Sequence, residues 1–237
     1  MSIMKNIKKT VSGPTVLMIL DGFGLPKIKK TSAITSETAP NIYSYLKKYP
    51  NSRLKTYGEF VGLFSGQEGN SEAGHLNIGA GRIIKQDLVI VSDAIENGTF
   101  FKNTAFKEAL FHVKKYKTAV HVIGLLTNGN SAHAHQEHLY ALLDFFRREG
   151  QKEVYLHLFT DGRDSSPHAA LGFLRDLRGY MKNGEKIATI MGRFYGMDRN
   201  KIWSRIEQAY DAMVLGKGCN ANSAEEALEQ SYNRGET

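Results

Sequence analysis

Cysteine and long hydrophobic runs are nearly absent from this sequence of 237 residues. The single cysteine, Cys219, cannot form a disulfide within the chain, which is typical of proteins in a reducing compartment. The apolar run 16–20 is far too short to cross a bilayer, and the basic N-terminus lacks the apolar core of a signal peptide. We therefore expect a cytoplasmic protein with no membrane partner.

Two common phosphate-binding motifs are also missing. The glycine-rich stretch GNSEAGHLNIGAGR, residues 69–82, is not followed by Gly-Lys-Ser/Thr, which excludes a Walker P-loop. It also lacks the middle glycine and the later acidic residue of a dinucleotide fingerprint. The stretch therefore holds either an activated serine, Ser71, or a structural turn. Judged alone, Ser71 is better explained as the N-cap of its own helix.

The charge pattern argues against nucleic acid as a partner. The formal net charge is +7, but the lysines are scattered in pairs and are not interleaved with aromatic residues along one face. Several arginines lie beside glycine or aspartate in short polar segments. A guanidinium binds phosphate or carboxylate in a bidentate manner, so we expect a small anionic substrate. These arginines are Arg82, Arg163, Arg193 and Arg199.

Alternating strand and helix patterns predict an α/β fold with a mainly parallel sheet. The run VLMIL reads as a buried parallel strand that ends at Asp21, and SRLKTYGEFVGL is a weaker strand candidate. The segments HVIGLL, VYLHLF and IATIMG each end in a polar loop and lead into a helical pattern. We infer two units, one up to about residue 80 and one after it, with NIGAGRII near the junction.

The loops after these three strands should converge on one edge of the sheet. Asp164 offers a carboxylate for proton transfer, and the nearby arginines offer cations for phosphate. The alternatives are an internal Arg–Asp pair that closes the loop, and surface charge over a turn. The residues predicted to line one pocket are His133, Arg163, Asp164, Arg193 and Arg199.

Two further features allow a metal site but do not require one. Asp21 could be a metal ligand, a general base or a turn residue, and Asp-Gly alone favours the turn. The histidines of HAHQEH, which are His133, His135 and His138, could bind zinc or nickel. They lie at the start of a helix, where neutral histidines often face solvent or an anion, and this second reading is favoured.

Taken together, the motifs resemble the cofactor-independent phosphoglycerate mutases, those that do not need 2,3-bisphosphoglycerate. The matching segments cover nearly the whole chain in the family's order. They are VLMILDGFG, GNSEAGHLNIGAGR, SDAIENGTFFKN, GLLTNGNSAHAHQEHLYALL, FTDGRDSSPHAA and GRFYGMDRNKIWSRIEQAYDAMVLGKG. The loop TNGNSAHAH departs from the family's usual SDGGVHSH, with one extra residue before His133.

The resemblance implies part of an alkaline-phosphatase-like domain followed by an α/β transferase domain. Residues 1–80 would be the N-terminal segment of the metal-binding phosphatase-like domain, and 81–237 the substrate-binding transferase domain. The implied activity is interconversion of 3- and 2-phosphoglycerate, in glycolysis and gluconeogenesis, through a phosphoserine at Ser71. Two divalent metal ions, with manganese as the first expectation, would bind at Asp21 and Ser71. A metal would activate a serine that has no neighbouring histidine base.

By the same resemblance, Asp164 is the proton shuttle at the glycerate hydroxyls. The residues implied to bind phosphoglycerate are His133, Arg163, Arg193 and Arg199. A closed site that retains glycerate implies a hinge near residues 77–90. Family members continue well beyond this length and supply the remaining metal ligands there, so we expect a monomeric chain, incomplete at its C-terminal end, with negligible mutase activity alone.

Two alternatives stay open. One is another phosphomutase or phosphatase of the alkaline-phosphatase superfamily, such as a phosphopentomutase, which would share the metal and nucleophile chemistry. The other is a catalytically silent fragment that binds phosphoglycerate without turning it over.

Overall fold

A three-stranded parallel sheet forms the centre of the fold. The computed structural model describes residues 13–24, 31–129 and 131–236. The strands are β1 (Val120–Leu126), β2 (Val154–Thr160) and β3 (Lys186–Gly192), in the order β1-β2-β3. Val120 pairs with Val154 and Tyr155 with Lys186, both in parallel register. The predicted α/β class and the three strand assignments are confirmed.

Helices precede the sheet and connect its strands. Before β1 lie α1 (Pro40–Lys48), α2 (Ser71–Ala80), α3 (Asp87–Glu96) and α4 (Thr104–Tyr116), with 3-10 turns at Gly58–Val61 and Phe100–Lys102. Helix α5 (Gln136–Arg148) joins β1 to β2, and α6 (Ala170–Tyr180) joins β2 to β3. After β3 follow α7 (Arg193–Gly196), α8 (Trp203–Tyr210), a π-helical segment (Asp211–Leu215) and α9 (Ala224–Asn233). None of the helices in the described ranges is long and apolar enough to cross a membrane.

The main core lies where α5 and α6 cover one face of the sheet. Leu156 and Leu158 of the central strand are fully buried, as are Leu174 and Leu177 on α6. A leucine side chain contributes about 1.5–3 kcal/mol when it is moved from water into such a core. This packing holds β2 rigidly, so the residues that directly follow it start from a fixed position.

The predicted first strand is wrong in this structure. Residues 16–20 form no strand, and the side chains of Val16 and Leu17 are 78% and 74% exposed. A strand needs a neighbouring backbone to pair with, and the three strands found in the described residues pair with one another in the sheet β1-β2-β3. The weaker strand candidate, SRLKTYGEFVGL, instead contains the 3-10 turn Gly58–Val61.

A small second cluster links α2 to the turn before it. The Asn77 side chain donates to the Val61 carbonyl (3.1 Å) and accepts from the Ile84 amide (2.9 Å). Gly62 has φ +79°, and a Cβ there would lie 1.8 Å from the Ile84 carbonyl oxygen. The chain can pass here only because residue 62 is glycine. The hinge expected near residues 77–90 stays a prediction. The cluster's buried side chains are Val61, Leu63 and Ala73.

Candidate active site at the carboxyl edge of the sheet

Asp161, the first residue after β2, connects the ends of all three strands. Its side chain is 0% exposed. Oδ2 accepts a hydrogen bond from Thr127 Oγ1, just after β1, at 2.8 Å. Oδ1 accepts from Arg193 Nη1, at the start of α7 after β3, at 2.7 Å. We call the set of linked residues the carboxyl-edge cluster: Thr127, Ser131, Asp161, Asp164 and Arg193.

The same carboxylate shapes the loop that follows it. Oδ1 of Asp161 accepts from the backbone amides of Arg163 (3.3 Å) and Asp164 (3.0 Å). Burial alone would raise the pKa of Asp161, but hydrogen bonds from the Asp164 amide, Arg193 and Thr127 outweigh it and lower the pKa. Asp161 is therefore an ionised buried group, and its role is to hold the loop that presents Arg163 and Asp164.

Asp164 is the more accessible carboxylate of the cluster, with its side chain 29% exposed. Its Oδ2 accepts from Arg193 Nη1 at 2.8 Å and from Ser131 Oγ at 2.7 Å. Burial would raise the pKa of Asp164, but the hydrogen bonds from Arg193 and Ser131 lower it below the ordinary value. Asp164 is thus ionised at neutral pH and open to a ligand, which are the two properties a general base needs.

Arg193 lies between two carboxylates and is only 12% exposed. Burial would lower its pKa, but the hydrogen bonds to Asp164 and Asp161 raise the pKa. One guanidinium against two carboxylates leaves the cluster with a net negative charge. An anionic ligand therefore needs further cations, and these must come from neighbouring residues.

Arg163 and Arg199 are the neighbouring cations that the sequence predicted, and both are exposed. In the described part of the chain, neither is found in an ion pair. The loop that carries Arg199 is fixed by Asp198, whose carboxylate accepts from the Ile202 amide at 2.9 Å and from Arg205 Nη1 at 2.8 Å. Both guanidinium groups are therefore available to a ligand, and each stands on a loop with internal hydrogen bonds.

His133 reaches the cluster through its backbone. Its amide donates to Ser131 Oγ at 3.1 Å, and its side chain is exposed. The other two histidines of HAHQEH have separate contacts. His135 packs against Phe64, with ring centroids 4.9 Å apart, and His138 Nε2 lies 2.8 Å from Ser92 Oγ. Among the described residues, no group of three or more His, Cys, Asp or Glu side chains could hold a metal ion.

Ser71 is the first residue of α2, and it is not the cap. Asn70 is the N-cap, and its side chain accepts from the Ala73 amide at 2.9 Å. The helix-cap explanation of Ser71 is therefore wrong, and its exposed hydroxyl is not needed to begin the helix. A histidine is also nearby, since His75 Nδ1 lies 3.2 Å from Ser71 Oγ, although the same nitrogen is 2.8 Å from the Ser71 carbonyl oxygen.

Asp21 lies in an exposed turn after the unpaired segment 16–20. In the described residues, no hydrogen bond connects Asp21 or Ser71 to the carboxyl-edge cluster. The structure thus brings together Asp164 and Arg193 directly and His133 through its backbone. It holds Arg163 on the same loop as Asp164, and it leaves Asp21 and Ser71 in a separate region of the chain.

Sequence reasoning missed three members of the cluster: Thr127, Ser131 and Asp161. Asp161 had a usable signal, because it is the first polar residue after a strongly apolar strand. Thr127 and Ser131 had no usable signal in the sequence, because whether a hydroxyl group is buried depends on which loops fold over it.

The chain is similar to known proteins in both sequence and structure. The family model described as BPG-independent PGAM N-terminus matches residues 91–237. The 2,3-bisphosphoglycerate-independent phosphoglycerate mutase of Acetivibrio thermocellus is 46% identical over 224 residues, which cover 93% of this chain and 43% of that protein. The Clostridium botulinum protein of the same name is 48% identical over 227 residues, 94% of this chain and 44% of the relative.

A crystal structure of Leishmania mexicana phosphoglycerate mutase at low cobalt concentration has the same fold. The TM-score is 0.73 at 28% identity, and the match covers 83% of this chain and 37% of the other. The chain thus spans less than half the length of the relatives it matches. With a family model over most of its length and close relatives of one name, the chain belongs to the 2,3-bisphosphoglycerate-independent phosphoglycerate mutase family.

Proposed function

We propose that this chain is part of an enzyme that interconverts 3-phosphoglycerate and 2-phosphoglycerate through a phosphoserine at Ser71, in glycolysis and gluconeogenesis. The observation that carries the proposal is the environment of Asp164. An ionised, partly exposed carboxylate is fixed by Arg193 and Ser131, on the same loop as the exposed Arg163. The family relationship supplies the reaction that such a site would serve.

The substrate's charges match the cations at this edge. Phosphoglycerate has a phosphate and a carboxylate, and both are bound well by guanidinium groups. Arg163 and Arg199 are exposed, and Arg193 uses Nη1 for its two carboxylates, so its other N–H groups can donate to a ligand. His133, whose amide donates to Ser131, adds an exposed imidazole in the loop after β1. We assign substrate binding to these four residues.

Asp164 would transfer the proton at the glycerate hydroxyls. When Ser71 Oγ attacks the phosphorus, the bond from phosphorus to the glycerate oxygen breaks, and the proton lost by the serine ends on that glycerate oxygen. On the return transfer a glycerate hydroxyl attacks the phosphoserine, the P–O bond to Ser71 breaks, and the proton released by the hydroxyl ends on the serine oxygen. Asp164 accepts the proton of that attacking hydroxyl and gives it back in the reverse direction. Its lowered pKa keeps it in the accepting form.

Two divalent metal ions, manganese first, belong to the same proposal. Asp21 and Ser71 supply oxygen donors of the kind that Mn²⁺ prefers, and a metal beside Ser71 would lower the pKa of its hydroxyl. We propose, from the family resemblance, that the other ligands come from outside this chain. The cobalt present for the L. mexicana enzyme is consistent with a divalent ion in this family.

The test is 2-phosphoglycerate formation by a longer protein that contains this sequence, with manganese added. Ser71→Ala and Asp164→Asn should each lower the rate at least a hundredfold, because they remove the nucleophile and the proton acceptor. Ser166→Ala, an exposed serine of the same loop region, is the control and should be neutral. Full activity of Ser71→Ala would overturn the proposal, and a preference for pentose phosphates would favour a phosphopentomutase instead.

A further inference from the structure

We propose that Ser131 is a positioning residue for Asp164, which fixes one carboxylate oxygen so that the other faces the substrate. The inference rests on the proposed function, because it concerns how the proton acceptor of that reaction is oriented. Ser131 is 0% exposed, and its Oγ lies 2.7 Å from Asp164 Oδ2.

The direction of this hydrogen bond follows from the bonding around the hydroxyl. Ser131 Oγ accepts from the His133 amide at 3.1 Å, and a carboxylate can only accept. The one hydroxyl hydrogen therefore points to Asp164. Because Ser131 is fully buried, no water competes for that hydrogen from solvent.

Both donors to Asp164 bind the same oxygen. Arg193 Nη1 and Ser131 Oγ meet Oδ2 at 2.8 and 2.7 Å. Among the described residues no hydrogen bond to Oδ1 is found. Two donors on one oxygen prevent the carboxyl group from rotating, and they leave Oδ1 as the atom that can take the substrate proton. Without Ser131, a single bond from Arg193 would allow the two oxygens to exchange places.

Charged and polar groups from each neighbouring loop surround Asp164, and the exposed Arg163 directly precedes it in its own loop. Arg193 after β3 is in contact, Asp161 after β2 repels it, and His133 lies beyond Ser131 in the loop after β1. Loss of the Ser131 hydroxyl would leave Arg193 alone against the repulsion from Asp161. The pKa of Asp164 should then rise towards its ordinary value.

Thr127 provides a matched control in the same loop. It is 1% exposed, nearly as buried as Ser131, and its hydroxyl donates to the other carboxylate, Asp161 Oδ2, at 2.8 Å. Thr127→Val removes this hydroxyl at almost constant volume. The two substitutions therefore disturb equally buried positions but act on different aspartates.

The experiment is a ¹³C NMR titration of the aspartate side-chain carboxyl carbons in this 237-residue chain. Ser131→Ala should raise the titration midpoint of Asp164 and leave that of Asp161 nearly unchanged. Thr127→Val should raise the titration midpoint of Asp161 and leave that of Asp164 nearly unchanged. An unchanged Asp164 midpoint in Ser131→Ala, or an equal rise in both variants, would overturn the inference. If Ser131→Ala fails to fold, Ser131→Cys keeps the shape with a weaker donor, and its Asp164 midpoint must still lie above that of the unmodified chain.

A kinetic readout in the longer protein separates positioning from substrate binding. Ser131→Ala should lower kcat about tenfold at neutral pH, since the acceptor oxygen is no longer held in one orientation, with KM for 3-phosphoglycerate changed less than about twofold. The acidic limb of the kcat profile should move to higher pH. A raised KM with unchanged kcat would contradict the positioning role. If the unmodified longer protein has no mutase activity, the proposed function fails, while the NMR result still decides how Asp164 is held.

Discussion

Replacing Arg193 by methionine should strongly destabilise the fold, because it leaves two neighbouring carboxylates without their shared cation. Asp161 is fully buried and Arg193 is only 12% exposed, so little solvent would screen the remaining charges. Removing one partner of a buried ion pair costs about 3–5 kcal/mol. Asp161 would keep its hydrogen bonds from Thr127 and from two backbone amides, and Asp164 is partly exposed. We therefore expect Arg193→Met to lower the free energy of unfolding by about 3 kcal/mol at neutral pH, the lower end of that range.

The loss of stability in Arg193→Met should depend on pH in a defined direction. The pKa values of Asp161 and Asp164 are lowered in the folded protein, so their contribution to stability is present above the unfolded-state pKa, about 3.9. That contribution is lost as pH falls through the folded-state values. In Arg193→Met both carboxyls would titrate at higher pH and become neutral earlier. The difference in free energy of unfolding between the unmodified chain and Arg193→Met should therefore be largest at pH 7 and should become smaller below about pH 4.

Urea unfolding followed by circular dichroism, repeated from pH 7 to pH 3, measures this gap. Arg199→Met is the matched control, since Arg199 is exposed and has no ion pair in the described part of the chain. It should change the free energy of unfolding by less than about 0.5 kcal/mol at every pH. Equal losses for the two variants, or an Arg193 effect that does not change with pH, would refute the reasoning.

The remaining predictions concern α2, the turn before it and the activity of the chain. Asn70→Ala should lower the free energy of unfolding in urea by about 1 kcal/mol, because Asn70 caps α2, and Ser71→Ala should lower it by less than about 0.5 kcal/mol. A larger loss for Ser71→Ala than for Asn70→Ala would show that Ser71 is the cap. Gly62→Ala should lose more than about 2 kcal/mol, since its Cβ would lie 1.8 Å from the Ile84 carbonyl oxygen. Gly66→Ala has a similar φ, +77°, but open space around it, so it should lose only about 1 kcal/mol, and equal losses would show that the close approach does not matter. With manganese, this chain alone should form no measurable 2-phosphoglycerate, and robust turnover would contradict that expectation.

The strand and helix units from β1 onwards were predictable because their signals are local. Helix α5 has apolar residues at helical spacing and ends before Gly150, whose φ of +71° is the left-handed value expected just after a helix. Strand β2 is mostly apolar, with His157 as the polar residue in its middle, as expected for the central strand of a covered sheet. The convergence of Asp164 and Arg193 followed from parallel topology alone, since the carboxyl ends of such strands share one edge.

Features that depend on partners distant in sequence were not predictable. The run 16–20 has the composition of a buried strand, but pairing requires a neighbouring strand, and none lies beside it in the described ranges. The sequence also left open the alternative that an arginine of FTDGRD pairs with an aspartate and closes its own loop. Instead Arg193, from the next strand's loop, bridges Asp161 and Asp164, while Arg163 stays exposed. Which of several arginines is buried is decided by the geometry of packed strands, which no short motif encodes.

Binding of phosphoglycerate at the carboxyl edge is tested most directly by amide chemical-shift mapping of this chain with 3-phosphoglycerate, using sulfate at the same ionic strength as the control. The largest ligand-specific shifts should occur at Arg163, Asp164 and His133, and Arg163→Met should weaken them. Shifts centred on the surface cavity beside Lys152 and Lys186, at the amino ends of the strands, or no ligand-specific shifts at all, would contradict a substrate site at the carboxyl edge.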